Sequence, residues 1–114
     1  MTQAPLMDRI HITEDYDVPR VINGGWRLSA GHALERPLDL ADASRAFNRL
    51  SDMGFDTFDC ADIYTGVEDF FGGIIRDRRK AGLRLPQIHT KFVPDLNDLA
   101  NVTPAYVENI ITRS

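Results

Sequence analysis

Hydrophobic residues along this chain repeat with two periods, one typical of buried strands and one typical of amphipathic helices. Short apolar segments predict three core strands, at residues 20–24, 55–61 and 87–92. Apolar residues spaced three or four positions apart predict three helices, at residues 37–53, 67–81 and 103–114. Strands and helices that alternate in this way predict an α/β fold with parallel strands and right-handed crossovers.

The segments around these three βα units have their own patterns. Arg9–Thr13 alternates polar and apolar side chains, which predicts a short half-buried strand, or one arm of a hairpin, in front of the first unit. The polar segment at residues 14–17 predicts a turn, and those at 62–65 and 94–98 predict loops.

The helix ends carry residues that suit the unpaired backbone groups there. Asp39 and Thr103 are typical N-terminal caps, and Pro104 suits a first helical position. Gly54 is typical of the position that follows a helix. Four cations crowd the last turn of the second helix, where we predict a solvated helix end: Arg76, Arg78, Arg79 and Lys80.

The composition predicts one folded domain, residues 1–114. Hydrophobic residues make up 43% and the net charge is −4, so the chain offers no basic surface for nucleic acid. One cysteine and three widely separated histidines predict neither an intrachain disulfide nor a metal site. No apolar run has the length of a signal peptide core or a membrane span, so we expect no membrane partner and a cytoplasmic location.

Three ionisable residues, Asp59, Tyr64 and Lys91, fall at or just after the ends of predicted strands. Parallel strands place their carboxyl ends on one face, so these side chains are expected to lie together. An ammonium group beside a phenol favours the ionised phenol, and a carboxylate would hold that ammonium in place. Each residue also has a structural interpretation: a capping carboxylate, an interfacial aromatic and a solvated lysine.

Several motifs resemble those of the aldo-keto reductase family. Phe-Asp-Cys-Ala-Asp-Ile-Tyr at residues 58–64, followed by Glu68 and Gly72, is similar to that family's Phe-Asp-Thr-Ala-x-x-Tyr and Gly-x-x-Glu-x-x-Leu-Gly motifs. His-Thr-Lys at residues 89–91 resembles its third strand, and Val-Ile-Asn-Gly-Gly-Trp at residues 21–26 resembles its first strand and turn. The resemblance spans roughly residues 8–114, with Cys60 in place of the usual threonine and a variant glycine turn at residues 65–67.

The resemblance implies a (β/α)8 TIM barrel that reduces a small aldehyde or ketone with NADP(H). By matching position, Tyr64 would donate the proton, Lys91 would make it more acidic, and Asp59 would pair with Lys91. Gly24, Gly25, Trp26 and Asp59 would lie beside the cofactor. Glu68 fits a first-turn acid of a helix, His89 a packed strand residue and Cys60 a small core residue, while His11 and His32 fit surface positions.

A complete barrel of this kind needs about 250 residues, and this chain supplies three of its eight βα units. In the family, a catalytic histidine follows the fourth strand and most of the cofactor's phosphate and adenine pocket comes from the last two strands. We therefore expect a fragment with little or no reductase activity alone. The alternatives are a non-catalytic assembly module that pairs with another barrel fragment or with itself, and a small doubly wound domain that resembles the barrel by chance.

Overall fold

A computed structural model describes residues 8–29 and 39–114. The predicted helix start at Pro37 and the surface prediction for His32 lie outside these residues. The strands are β1 Arg9–Thr13, β2 Tyr16–Pro19, β3 Asn23–Gly24, β4 Thr57–Asp59 and β5 Gln87–His89. The helices are α1 Leu40–Asp52, α2 Val67–Lys80 and α3 Pro104–Arg113.

The strands β3, β4 and β5 form one parallel sheet in that order. Gly24 pairs with Asp59, and Asp59 pairs with His89, so the three strands are in register at their carboxyl ends. This confirms the three predicted βα units. The strands are shorter than predicted, most clearly β3, because hydrophobicity indicates a strand-forming residue but not where a neighbour is close enough to bond. Val21 and Ile22 remain 50% and 42% exposed.

The hairpin that precedes this sheet is formed by β1 and β2, which pair antiparallel. The turn predicted at residues 14–17 is too long, because residues 16 and 17 already belong to β2. The paired hairpin buries Val18 and Pro19. A proline at the end of an edge strand removes no needed ladder bond, so the paired segment extends to Pro19.

The helix ends follow the predicted capping chemistry. The side chain of Asp39 accepts hydrogen bonds from the amides of Ala41 and Asp42 and caps α1, as predicted. Gly54 follows α1 with a φ of +96°, a conformation that favours glycine. Thr103 accepts a hydrogen bond from the Tyr106 amide at the start of α3, as predicted. The loop predicted at 94–98 is partly a 3-10 helix, Leu96–Asn101.

The hydrophobic core lies between the parallel sheet and the helices. Its buried members come from β4, the residue after it and α2: Phe58, Cys60, Val67, Phe71 and Ile74. Phe47 of α1 packs edge-on against this cluster, with ring centroids 4.7 Å from Phe58. Aromatic pairs at such distances add stabilisation beyond the area they bury. Since Phe58 and Cys60 face the helices, Asp59 must face the opposite side of the sheet.

Arg78 corrects the prediction of a fully solvated end for α2. Its side chain is only 2% exposed, and it donates to the carbonyl of Arg84, to the side chain of Asn48 and to the carboxylate of Asp52. The buried guanidinium therefore joins α2 to the end of α1 and to the loop that leads into β5. The other three cations of the cluster are exposed.

A second buried charge lies at the start of β4. Asp56 is 1% exposed, and its carboxylate contacts Arg9 at 2.8 Å and Arg84 at 2.7 Å. Arg9 also donates to Asp17 and to the Gly54 carbonyl. Burial alone would lower the pKa of Arg9, but the hydrogen bonds to Asp56 and Asp17 raise it above its ordinary value. These contacts attach the hairpin to the end of the sheet opposite the predicted site.

Among the described residues, no helix combines the length and the apolar character needed to cross a bilayer.

Candidate functional site

The carboxyl ends of the parallel strands bring Asp59 and Lys91 together. Asp59 ends β4, and Lys91 lies two residues beyond β5. The Nζ atom of Lys91 donates to Oδ1 of Asp59 at 2.9 Å and to the carbonyl oxygen of Cys60 at 2.5 Å. The hydrogen bond to Asp59 is the main cause that raises the pKa of Lys91 above its ordinary value. The lysine therefore stays protonated at neutral pH.

This ion pair remains accessible from solvent. The side chains of Asp59 and Lys91 are each 46% exposed. An exposed ion pair contributes little to folding stability, because water already solvates both charges well. A structural role alone therefore accounts poorly for two charged groups held in contact at the end of a sheet.

Tyr64 lies next to the ion pair in the turn that follows β4. Its amide donates to the carbonyl of Ala61 at 3.2 Å, and its carbonyl accepts from the Val67 amide at 3.0 Å, where α2 begins. Gly66 has a φ of +81°, which lets the chain turn sharply into the helix. The ammonium of Lys91 lies 5.4 Å from the centroid of the Tyr64 ring, within the range of cation–π attraction. The structure thus brings together all three residues that were predicted to be catalytic, and their roles remain predictions.

The residues predicted to lie beside the cofactor border the same edge. The amide of Gly25 donates to the carbonyl of Asp59 at 2.8 Å. A side chain at position 25 would approach that carbonyl oxygen and the ring of Phe71 to 2.9 Å, so only glycine fits without a shift. Gly24 is exposed, and Trp26 begins a short 3-10 helix with 54% of its surface accessible.

The accessible groups at this edge suit a flat, polar ring of the kind that the predicted nicotinamide cofactor carries. An accessible cation, a carboxylate and a phenol border an open edge, and the exposed Trp26 follows β3 at the same end of the sheet. A flat, polar ring can bind against such groups. Their side chains would account for the orientation of that ring and not for the cofactor's phosphates.

Other sequence interpretations can now be compared with the structure. His89 is half-buried and lies within hydrogen-bond distance of the Tyr16 hydroxyl, 2.6 Å from it, which confirms a packed, hydrogen-bonded residue. Cys60 is fully buried, as predicted for a small core residue, and burial raises the pKa of its thiol. Glu68 lies in the first turn of α2, also as predicted, and His11 is exposed.

Sequence reasoning assigned no function to Asp62. Its side chain accepts a hydrogen bond from the Val93 amide at 3.1 Å, and its own amide donates to the carbonyl of Lys91 at 3.0 Å. The sequence did contain a signal for this contact, because Asp62 directly follows the predicted strand at residues 55–61. Aspartate readily accepts hydrogen bonds from nearby backbone amides where a chain turns.

A cleft of about 540 Å³ opens on the helix side of this edge. It lies between α2, β5 and α3, and its walls are mainly apolar, with Phe71, Ile75, Ile88 and Ile110 among them. Glu68 lines it as well and accepts a hydrogen bond from Thr90 at 2.7 Å.

Comparison with known proteins identifies one family. The sequence model of the Aldo/keto reductase family matches residues 20–114. The matched range includes the whole parallel sheet and all three helices, and it begins after the hairpin, later than the resemblance from residue 8 had predicted. A search of curated proteins found no match to this chain.

Proposed function

Because this chain belongs to the aldo/keto reductase family, whose function is of the oxidoreductase type, we propose that its site reduces the carbonyl group of a small aldehyde or ketone. The family has a (β/α)8 barrel fold, and the three parallel βα units described here form part of such a barrel. The observation that carries the proposal is the Asp59–Lys91 ion pair beside Tyr64, at the strand ends where barrel enzymes place their chemistry.

Tyr64 is the proton donor in this reaction. When bound, a reduced nicotinamide supplies a hydride to the carbonyl carbon, and the carbonyl oxygen then gains negative charge. The Tyr64 hydroxyl gives its proton to that oxygen, which completes the alcohol and leaves a phenolate. The neighbouring Lys91 ammonium stabilises the phenolate, and Asp59 holds the ammonium in position. Water afterwards returns the proton to Tyr64.

We propose NADP(H) as the cofactor. The family generally uses NAD(P)H, and the open edge beside Gly24, Gly25, Trp26 and Asp59 supports binding of its nicotinamide end. In the barrel chimera described next, Trp26→Ala should weaken the binding of NADPH, and an unchanged affinity for NADPH would contradict a nicotinamide site at this edge.

Exchange of Tyr64 for phenylalanine tests the proposed reaction. Residues 20–114 would replace the matching segment of an active aldo/keto reductase, which supplies the rest of the barrel. We expect this chimera to reduce an aldehyde, and Tyr64→Phe to lower kcat about 10²–10⁴-fold, the usual contribution of a positioned general acid. Tyr106→Phe, which removes a hydroxyl that donates to Asp98, is the matched control. A chimera whose turnover survives Tyr64→Phe would refute the assignment.

The isolated 114 residues should show little turnover, because their three described parallel strands leave the site without the walls of a closed barrel. Aldehyde reduction by the chain alone, lost in Tyr64→Phe, would contradict this expectation.

The second candidate is an assembly module. The apolar cleft between α2, β5 and α3, and the edges of β3 and β5, favour binding of a polypeptide that supplies further strands, either another barrel fragment or a second copy of the chain. Light scattering after gel filtration measures self-association, and co-purification with a complementary barrel fragment measures pairing. A monodisperse monomer that binds no such fragment would exclude this candidate.

A further inference from the structure

The hydrogen bonds between β4 and β5 continue past the last residues of both strands. The amide of Cys60 donates to the carbonyl of His89 at 2.7 Å, and the amide of Asp62 donates to the carbonyl of Lys91 at 3.0 Å. The two segments therefore stay in parallel register as far as Lys91, although the regular strands end at Asp59 and His89.

The next bond of this series comes from a side chain. At the start of the ladder, the Gln87 amide donates to the backbone carbonyl of Asp56, at 2.7 Å. The Val93 amide stands in the same relation to Asp62, 31 residues before it, but it donates to the carboxylate oxygen Oδ1. The main chain turns away here, as the bond from the Tyr64 amide to the Ala61 carbonyl shows. The carboxylate thus continues the ladder where the backbone leaves it.

These two bonds hold the backbone from the carbonyl of Lys91 to the amide of Val93. A lysine side chain has four rotatable bonds and is held only as well as its backbone is. We propose that Asp62 is a positioning residue, which sets the backbone at Lys91 so that the ammonium reaches Asp59 beside Tyr64. The proposal deepens the reductase assignment and rests on it, but its geometry can be tested without turnover.

The ammonium of Lys91 reports directly on this geometry. The titratable groups whose charges act on it are Asp59, Tyr64 and Cys60, and the hydrogen bond to Asp59 has the largest effect in raising its pKa. If the backbone at Lys91 shifts, that bond lengthens and the pKa falls towards the ordinary value of a lysine. The chain contains one other lysine, Lys80, so the two signals separate readily in an NMR titration of ¹³C-labelled lysine.

The test compares two substitutions at Asp62 in the full 114-residue chain. Asp62→Ala removes both the charge and the hydrogen-bond acceptor, whereas Asp62→Asn removes the charge and keeps an acceptor for the Val93 amide. We expect the pKa of Lys91 to fall in Asp62→Ala and to stay raised in Asp62→Asn. Asp39→Ala is the matched control, because it also removes a carboxylate that accepts from backbone amides, at the start of α1.

Three outcomes would overturn the proposal. An equal fall of the Lys91 pKa in both Asp62 variants would assign the effect to the lost charge. An unchanged Lys91 pKa in Asp62→Ala would show that Asp62 does not position Lys91. The same fall in Asp39→Ala would assign the effect to a general loss of stability. If Asp62→Ala fails to fold, amide exchange in the wild type and in Asp62→Asn decides. The Val93 amide should exchange about fivefold or more slowly than an unbonded loop amide in both proteins, and unprotected exchange would contradict the proposal.

Discussion

At the scale of single residues, Gly25 shows how closely the chain after β3 approaches the end of β4. Its amide bonds to the Asp59 carbonyl, and a side chain there would approach backbone and core atoms at about 2.9 Å. Its φ of −102° is open to any residue, so the requirement for glycine comes from space and not from conformation. The adjacent Gly24 has nothing within 4 Å of the corresponding position.

Gly25→Ala should therefore lower the free energy of unfolding by about 1–3 kcal/mol, the usual cost of an added methyl group in a packed site. Gly24→Ala should change it by less than about 0.5 kcal/mol. Urea denaturation followed by circular dichroism measures both. Equal effects of the two substitutions would show that the chain after β3 does not pack against β4 as described.

At the scale of elements, α2 is attached to its neighbours by a buried charge. Arg78 bonds to Asn48 and Asp52 at the end of α1 and to the Arg84 carbonyl ahead of β5. If the arginine were lost, water would solvate Asp52, which is 58% exposed. The half-buried side chain of Asn48 would instead lose its hydrogen-bond donor. Arg78 thus fixes how the last turn of α2 packs on α1.

Arg78→Met should lower the free energy of unfolding by about 1–3 kcal/mol, since it keeps the aliphatic stem and removes the hydrogen bonds. Arg79→Met, at an exposed position of the same helix, should change it by less than about 0.5 kcal/mol. The two substitutions are the same exchange at adjacent positions of α2, so they change helix propensity and net charge equally. A similar effect at both positions would mean that Arg78 is solvated, as its place in a basic cluster had predicted.

The sequence predicted the elements well where one local rule decided them. Helical spacing located α2, a glycine marked the end of α1, and Thr103 with Pro104 located the start of α3. The predictions were less accurate where the outcome depended on distant partners. Hydrophobicity placed a full strand at residues 20–24, yet only two of those residues find a partner strand.

For the candidate site as well, the sequence predicted what local patterns decide and missed what depends on distant residues. Their positions at the ends of predicted strands predicted that Asp59, Tyr64 and Lys91 lie together, because parallel strands align their ends. An aspartate after a strand indicates a bond to a backbone amide, but that the amide belongs to Val93 depends on where β4 stops and the chain turns. The buried state of Arg78 likewise depends on α1, 26 residues earlier in the chain at Asp52.

At the scale of the whole molecule, the core and the site lie on opposite sides of one open sheet. The helices cover the side that carries Phe58 and Cys60, and the hairpin is attached at the far end through Arg9 and Asp56. Since the described sheet contains three strands, the stability of these 114 residues depends mainly on the helix side. A probe at the centre of that core therefore measures whether the described chain folds as one unit.

Cys60 provides this probe, because it is the only cysteine and is fully buried. The thiolate is the nucleophile that attacks a thiol reagent, and burial both blocks access and raises the pKa of the Cys60 thiol. We expect native protein to react about 100-fold or more slowly than protein unfolded in urea. Folding raises this pKa, so the unfolded state loses its proton first, and the free energy of unfolding should fall as the pH rises above the ordinary value of 9.0. In Cys60→Ala, the free energy of unfolding should fall less over the same pH range. If Cys60 in the native protein is labelled as fast as in urea, the sheet and the helices do not form a packed layer around it.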